Sequence, residues 1–199
     1  MIPFTDMTGL ASSAVAMVAV AVMLPGIPRI QKPYRIWLAC TVAIVALIPF
    51  GGLPLAAYVR GVIGDLSVTS LALLVLAILN RLTGCRPFDT PARFVLLLLI
   101  ALAAFGLYPL ALGIGYFDPY RLGYGNPLFM GVLLVIALAA CFRRLPAIAL
   151  TIALAVFAWS IGWYESTNLW DYLLDPLLAI YAVSALMRRS IQRQQPASV

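Results

Sequence analysis

Long apolar runs, separated by short loops rich in proline, glycine and charge, constrain this sequence more than any other feature. Runs of about 18 apolar residues are typical of membrane spans, and 64% of the chain is hydrophobic against 10% charged, far from the balance of a soluble domain. Because unpaired backbone groups are costly in lipid, such runs form helices or closed barrels. Residues 94–102 are continuously apolar, without the alternation of barrel strands. The sequence therefore predicts an all-α, polytopic helical membrane protein.

About seven transmembrane helices are predicted. The first covers residues 8–24, the second runs from residue 36 to a Pro- and Gly-rich break at 49–54, and the third covers residues 62–79. The fourth begins after Thr90-Pro91 and exits near residue 116, the fifth ends near 142, the sixth near 163 and the seventh at 188–189. Residues 1–8 lack Lys and Arg, so the first segment is predicted as a retained span rather than a signal peptide. The sequence therefore predicts one transmembrane helical bundle over residues 1–189 and a polar cytoplasmic tail over residues 190–199.

The charges predict the orientation of this bundle. The side predicted to be cytoplasmic holds eleven of the 13 basic residues, namely Arg29, Lys32, Arg35, Arg81, Arg86, Arg93, Arg143, Arg144, Arg188, Arg189 and Arg193. Only Arg60 and Arg121 lie on the other side, whereas Asp89 is the only carboxylate on the basic side. The positive-inside rule then places the N-terminus outside and the C-terminus in the cytoplasm of a multi-pass inner (plasma) membrane protein. Cys40, Cys85 and Cys141 fall near cytoplasmic helix ends, where thiols stay reduced.

The composition also restricts chemistry and partners. The chain contains no histidine, which makes zinc sites, serine triads and His-ligated haem improbable. With no metal-ligand spacing, P-loop or dinucleotide fingerprint either, no metal or cofactor is predicted. The basic residues occur in short clusters typical of topology signals, so nucleic acid is not an expected partner. Membrane lipids are expected partners, together with a protein partner or a second copy of the chain.

The first candidate binding residues are Arg60 and Asp65, which lie where the second crossing reaches the outer interface. Ionisable residues at this depth are candidates for function, and Arg60 would bind a phosphate or carboxylate bidentately. A structural interpretation is equally supported. In it Arg60 extends its head towards water while Asp65 caps the third helix beside Gly64.

The second candidate is the aromatic loop 116–127, which contains Asp118 and Arg121. Its tyrosines, prolines and glycines predict an ordered loop held by one ion pair, able to close over a site as a lid. The favoured alternative is an interfacial aromatic belt with turn residues.

The third candidate is the segment with Glu165, Asp171 and Asp175. Two aspartates four residues apart share one face of a helix, and Ala179 and Ala182 continue that face as small residues suited to close packing. Paired carboxylates there would need a cation, a shared proton or an arginine. The alternative has Asn168 as a helix cap and Asp175 before a kink at Pro176.

Two functions from different classes follow. The leading hypothesis is a non-enzymatic membrane protein that either transports a small or lipid-linked solute or serves as an integral subunit of an envelope complex. Broken helices at 49–54, Pro109 and Pro176 favour a solute pathway. The alternative is a membrane-embedded enzyme acting on a lipid or lipid-linked phosphate at the outer leaflet, with Arg60 and Arg121 holding the phosphate.

Overall fold

The computed structural model describes residues 4–84 and 90–194, and helices dominate this part of the chain. In chain order they are α1 (Phe4–Met23), α2 (Lys32–Leu47), α3 (Leu55–Ile63), α4 (Val68–Thr83), α5 (Thr90–Ala111), α6 (Pro127–Phe142), α7 (Pro146–Ser160), α8 (Trp170–Leu173) and α9 (Pro176–Gln194). Two 3₁₀ turns cover Ile27–Arg29 and Pro119–Gly123. The all-α class predicted from the apolar runs is therefore confirmed. Cys85, Arg86 and Asp89, which entered the sequence predictions, lie outside the described residues.

Two of the described helices are long and apolar enough to cross a membrane, namely α1 and the Pro91–Ala111 part of α5. Three shorter helices, α4, α6 and α7, are apolar but only 15 or 16 residues long. Their length of about 24 Å falls below the roughly 30 Å of a hydrocarbon core. By length and composition, the described fold thus contains two membrane-suited helices.

The predicted break at residues 49–54 is confirmed. Pro49–Phe50 pairs antiparallel with Leu53–Pro54, and the glycines between them both have positive φ (65° and 97°). This conformation is that of a tight hairpin turn and strongly favours glycine. The chain then forms the short helix α3, whose Ala56 is buried against α1 and α2.

The third long helix begins later than predicted, at Val68 instead of residue 62. Gly64 ends α3 with φ 73° and ψ −169°, a conformation open to glycine and strained for other residues. Ser67 then caps α4, because its hydroxyl oxygen accepts a hydrogen bond from the backbone N–H of Ser70 at 3.1 Å. The predicted capping of this helix by Asp65 is therefore wrong.

The helices pack into a bundle with two chemically different ends. α1 packs on α2, α3 and α4, α4 continues the contact to α7, and α7 packs on α6 while α5 packs on α9. We call the end that carries the N-terminus of α1 and the loops before α4, α6 and α9 the acidic end; its described carboxylates are Asp6, Asp65, Asp118, Glu165, Asp171 and Asp175. The opposite end is called the basic end; its basic side chains include Lys32, Arg35, Arg81, Arg93, Arg143 and Arg189.

Small and branched residues form the core between α5 and α9. Ala182 is fully buried and Ala179 is 7% exposed, in one cluster with Leu96, Ile100 and Ala104 of α5. The prediction that Ala179 and Ala182 allow close helix packing is thus confirmed.

The tail predicted from Ser190 onward starts inside a helix, because α9 continues to Gln194. No proline interrupts the helix before Pro196, and Gln and Arg are good helix formers. Residues 195–199 lie outside the described range.

Candidate functional site

Arg60 stands between two carboxylates at the acidic end. Its Nε and Nη2 donate to Oδ1 and Oδ2 of Asp65 at 2.6 and 2.9 Å, and its Nη1 donates to Oδ1 of Asp6 at 3.0 Å. This bidentate fork is the strongest geometry available to an arginine and a carboxylate. The hydrogen bonds to Asp65 raise the pKa of Arg60 above its ordinary value, against the opposing effect of partial burial, and Asp6 adds to the increase. The fork predicted for an external phosphate or carboxylate is therefore directed at the protein's own side chains.

Gly9 of α1 provides the room for this ion cluster. A Cβ at this position would lie 2.4 Å from Nε of Arg60 and 2.7 Å from Oδ1 of Asp65. Any larger residue would therefore push the guanidinium away from Asp65. The close approach of α3 to α1 and the Arg60–Asp65 pair depend on the same missing methyl group.

Asp175 is buried at 6% exposure and has four hydrogen-bond donors around it. Its Oδ2 accepts from the backbone N–H of Ser67 at 3.0 Å, from the Ser67 hydroxyl at 2.7 Å and from the Ser70 hydroxyl. Its Oδ1 accepts from the backbone N–H of Leu178 at 2.8 Å. Asp175 thus caps the N-terminus of its own helix α9 and that of α4, where the helix dipole stabilises a negative charge.

Asp171 lies on a different element from Asp175. The backbone of Leu174 is extended (φ −146°, ψ 139°), which ends α8 before Asp175 opens α9. The single helical face predicted for the two aspartates therefore does not form. Asp171 instead accepts hydrogen bonds from the Tyr120 hydroxyl at 2.8 Å and the Ser166 hydroxyl at 2.5 Å. Of the three partners considered for paired carboxylates, namely a cation, a shared proton or an arginine, an arginine is not found among the described salt bridges, since both belong to Arg60 with Asp6 and Asp65.

Asn168 joins the loop before α8 to the aromatic loop 116–127. It is 1% exposed, its Nδ2 donates to the carbonyl of Tyr120 at 2.9 Å, and its Oδ1 accepts from the backbone N–H of Trp170 at 2.9 Å. Asn168 therefore bonds the first residue of the short helix α8, whereas the seventh long helix that it was predicted to cap begins at Pro176. Gly123 packs against Asn168 so closely that a Cβ there would lie 1.7 Å from the Asn168 oxygen. The Leu169 N–H also donates to the carbonyl of Gly123 at 2.9 Å, which fixes the register of the two loops.

Tyr172 and Tyr164 extend this network into the bundle. Tyr172 is fully buried, and its hydroxyl donates to the carbonyl of Ser166 at 2.9 Å while accepting from the Tyr164 N–H at 3.1 Å. The Tyr164 hydroxyl shares a 2.9 Å hydrogen bond with the hydroxyl of Ser12 in α1. Burial raises the pKa of Tyr164 to about 12, although the hydrogen bond to Ser12 opposes the shift. The same cause, followed by the hydrogen bond to Asp171, raises the pKa of Tyr120.

The remaining predicted residues lie on the surface or in a turn. Asp118 caps the 3₁₀ turn Pro119–Gly123, because its Oδ1 accepts from the Tyr120 N–H at 2.9 Å. Arg121 and Glu165 are exposed. The ion pair predicted within loop 116–127 does not form among the described contacts, since the carboxylate of Asp118 faces the backbone of its own turn.

Four of the predicted residues, Arg60, Asp65, Asp171 and Asp175, therefore lie in three separate hydrogen-bonded groups rather than in one site. Asp6, Arg60 and Asp65 make the first, Ser67, Ser70 and Asp175 the second, and Tyr120, Ser166 and Asp171 the third. The described side-chain hydrogen bonds do not connect these groups. Within the described ranges, no cluster of three or more carboxylates, cysteines or histidines is suited to a metal ion.

Sequence reasoning missed the residues that hold these groups in place, namely Gly9, Ser12, Ser67, Ser70, Tyr120, Gly123 and Tyr172. Ser67 alone carried a recognisable signal, since a serine just before an apolar run is typical of a helix cap. Most of the others contact partners far away in the chain, as when Ser12 bonds Tyr164, although the Tyr172 hydroxyl bonds Ser166 only six residues away.

Comparison with known proteins assigns no relative, since no protein-family model, curated protein or solved structure matches the chain.

Proposed function

We propose that the protein is a multi-pass integral protein of the inner (plasma) membrane that acts as a non-catalytic structural subunit of an envelope membrane complex. In this proposal all seven long helices cross the bilayer, with the N-terminus outside and the C-terminus in the cytoplasm. The acidic end then lies on the outer side and the basic end on the cytoplasmic side, in agreement with the positive-inside rule.

Exposed apolar side chains support the placement in a membrane. Several long helices carry large apolar residues on the outside of the bundle, among them Trp37, Phe105, Val135, Phe142 and Phe157 at 62% exposure or more. Soluble monomers rarely expose such surface continuously, whereas lipid or a partner helix covers it at no cost. Helices of 15 or 16 residues fit a bilayer that thins locally around them.

The observation that carries the structural role is the saturation of the Arg60 guanidinium and the Asp175 carboxylate by intramolecular hydrogen bonds. A carrier or an enzyme acting on phosphate needs cations or carboxylates that are free to meet a ligand. Arg60 instead directs Nε, Nη1 and Nη2 to Asp6 and Asp65, and the Asp175 carboxylate is surrounded by donors from two helix N-termini. These hydrogen bonds hold helices together, which is the role expected of a structural subunit.

Loop 116–127 supports the same role. Hydrogen bonds from Asn168 and Trp170 to the carbonyls of Tyr120 and Pro119 fasten it to the loop before α8. Tyr116, Phe117 and Tyr124 remain exposed on this fastened loop. An ordered surface with exposed aromatic residues is suited to contact with a protein partner, because aromatic side chains contribute strongly to interfaces.

The test is to isolate the tagged protein from its own membrane in a mild detergent and determine the mass of the assembly. The expected result is a defined complex whose mass does not match a homo-oligomer of the chain. When Asp175→Ala lowers the amount of this protein, the amount of the partner subunit is expected to fall as well. Glu165→Gln is the matched control, because Glu165 is exposed at the same end. The proposal fails if the purified protein alone moves a solute or turns over a lipid in liposomes, and if Asp175→Asn and Arg60→Ala abolish that activity in a folded, inserted protein.

Orientation is tested separately by cysteine accessibility. In a background whose three native cysteines are replaced by serine, Glu165→Cys is expected to react with an impermeant thiol reagent in intact cells. Arg143→Cys is expected to react only after the membrane is opened. The reverse pattern would invert the proposed topology.

A further inference from the structure

A cavity of about 530 Å³ lies at the basic end, between the C-terminal turns of α1 and α4 and the N-terminal turn of α2. Its volume falls within the range of small-molecule sites. Lys32, Arg35, Arg81 and Asn80 contribute the polar part of its wall, and Met23 and Ala77 the apolar part. The cavity shares no residue with the three hydrogen-bonded groups at the acidic end.

The charge of this cavity is one-sided. Three cationic side chains line it, and its described lining contains no carboxylate. Cations brought together in this way repel one another unless an anion lies between them. The occupant that the charges favour is therefore an anion.

Only some of the N–H groups of Arg35 and Arg81 bond carbonyls at helix C-termini. Nη1 of Arg35 donates to the carbonyl of Arg81 at 2.7 Å, and Nε of Arg81 donates to the carbonyl of Val22 at 3.3 Å. These contacts satisfy carbonyls at helix C-termini, where positive charge is favourable. The Nε of Arg35, however, is buried without an acceptor among the described residues. Buried donors of this kind are rare in proteins, and a bound ion or water is among the explanations for them.

We propose that this cavity binds a phosphate group, and that the phosphate belongs to the headgroup of an anionic membrane phospholipid. The guanidinium N–H groups of Arg35 and Arg81 that do not bond carbonyls, together with the Lys32 ammonium group, match the several oxygens of a phosphate. Basic pockets between helices at the cytoplasmic side suit such headgroups. Leu24, which follows Met23 of the lining and is 52% exposed, offers an apolar surface for an acyl chain. The lipid source rests on the proposed membrane placement, whereas the phosphate chemistry does not.

The test measures binding of three probes to the full chain in a neutral detergent, by native mass spectrometry and by the increase in thermal midpoint. The probes are phosphatidylglycerol, phosphatidylcholine and inorganic phosphate. Phosphatidylglycerol is expected to bind most tightly, and the affinity is expected to fall about tenfold in Arg35→Gln, which loses charge-assisted hydrogen bonds. Lys32→Gln is expected to weaken binding about fivefold. The Lys32 ammonium group lies 3.4 Å from the carbonyl of Thr83, a long contact whose loss is expected to leave the fold intact. Lys32→Gln therefore tests the site if Arg35→Gln does not fold.

Arg143→Gln is the matched control, because it removes an exposed charge at the same end outside the cavity and is expected to leave binding unchanged. Equal binding of inorganic phosphate would keep the phosphate site and replace its lipid source by a soluble one. The proposal is overturned if phosphatidylcholine binds as tightly as phosphatidylglycerol. It is also overturned if Arg143→Gln weakens binding as much as Lys32→Gln does. Extraction of the protein from membranes by alkaline carbonate would instead contradict the membrane placement and leave the phosphate measurement standing.

Discussion

Asp175 accepts hydrogen bonds from both the backbone N–H and the hydroxyl of Ser67, at 3.0 and 2.7 Å, across a separation of 108 residues. Asp175 opens α9 and Ser67 opens α4, so one carboxylate fastens the starts of two helices. The charge is stabilised by helix N-termini and hydroxyls instead of by an arginine. This contact explains why a carboxylate is buried where its sequence position alone suggested a functional role.

Replacing Asp175 is expected to destabilise the bundle strongly. Asp175→Ala leaves the N–H groups of Ser67 and Leu178 without their acceptor, at a cost of about 3 kcal/mol. Asp175→Asn should cost less, about 1–2 kcal/mol, because it keeps one acceptor oxygen. The thermal midpoint in detergent measures both. Glu165→Gln should stay within about 0.5 kcal/mol of the parent. An unchanged midpoint in Asp175→Ala would show that the double cap contributes nothing to stability.

Gly9→Ala is expected to separate Arg60 from Asp65, because the new methyl group occupies the position of the guanidinium. Exposed ion pairs contribute about 0–1 kcal/mol, and alanine gains up to about 1 kcal/mol over glycine in a helix, so the net change in stability should be small. The same substitution made in an Arg60→Ala background should be stabilising, since the guanidinium is gone and the Asp65 carboxylate, released from its partner, can move away from the new methyl group. A double-mutant cycle on the thermal midpoint measures the difference.

Gly131→Ala in α6 is the control for that cycle, since a Cβ there meets nothing within 4 Å. Its effect should be the same whether residue 60 is arginine or alanine. If Gly9→Ala behaves identically to Gly131→Ala in both backgrounds, Gly9 does not shape the ion cluster.

Gly123→Ala is expected to detach loop 116–127 from the loop before α8. The added Cβ would lie 1.7 Å from Oδ1 of Asn168 and 2.8 Å from the Trp170 ring, and Asn168 is buried with both ends of its amide hydrogen-bonded. Such overpacking costs about 1–3 kcal/mol. Limited proteolysis of the loop and Trp fluorescence should report the detachment. Asn168→Ala combined with Gly123→Ala should recover part of the stability of Gly123→Ala, because it removes the obstructing amide. Protection equal to the parent's in Gly123→Ala alone would contradict the proposed loop contact.

Stability is expected to decrease at alkaline pH. The pKa of Tyr164 is raised from 10.0 to about 12, so the folded state holds this proton more tightly than the unfolded chain. The stabilisation from Tyr164 is therefore complete below about pH 10 and is lost as the pH rises towards about 12. Unfolding measured across this range, together with tyrosinate absorbance, checks the sign. Tyr164→Phe should flatten the decrease, and an equally steep decrease in that variant would assign the effect to other groups such as Tyr120.

The amino-acid sequence by itself determined the helices, their apolar character and the separation of charge. The long apolar runs of this chain are helical in the described residues, and the local signals of a helix end were sufficient to place the break at residues 49–54. Ala179 and Ala182 could also be assigned to a packed face, because periodicity along a helix is a local property.

Only the tertiary structure decided what the charged residues contact. The separation of Asp171 from Asp175 depends on one extended residue, Leu174. Pro176 indicated a kink at this point, but not that the two carboxylates would lie on different helices with different partners. Arg60 and Asp175 each have one partner close in the chain, but their other partners lie 54 and 108 residues away, at Asp6 and Ser67. A charge indicates that a partner is needed but not which one, because the choice is made by the packing of helices that are distant in the chain.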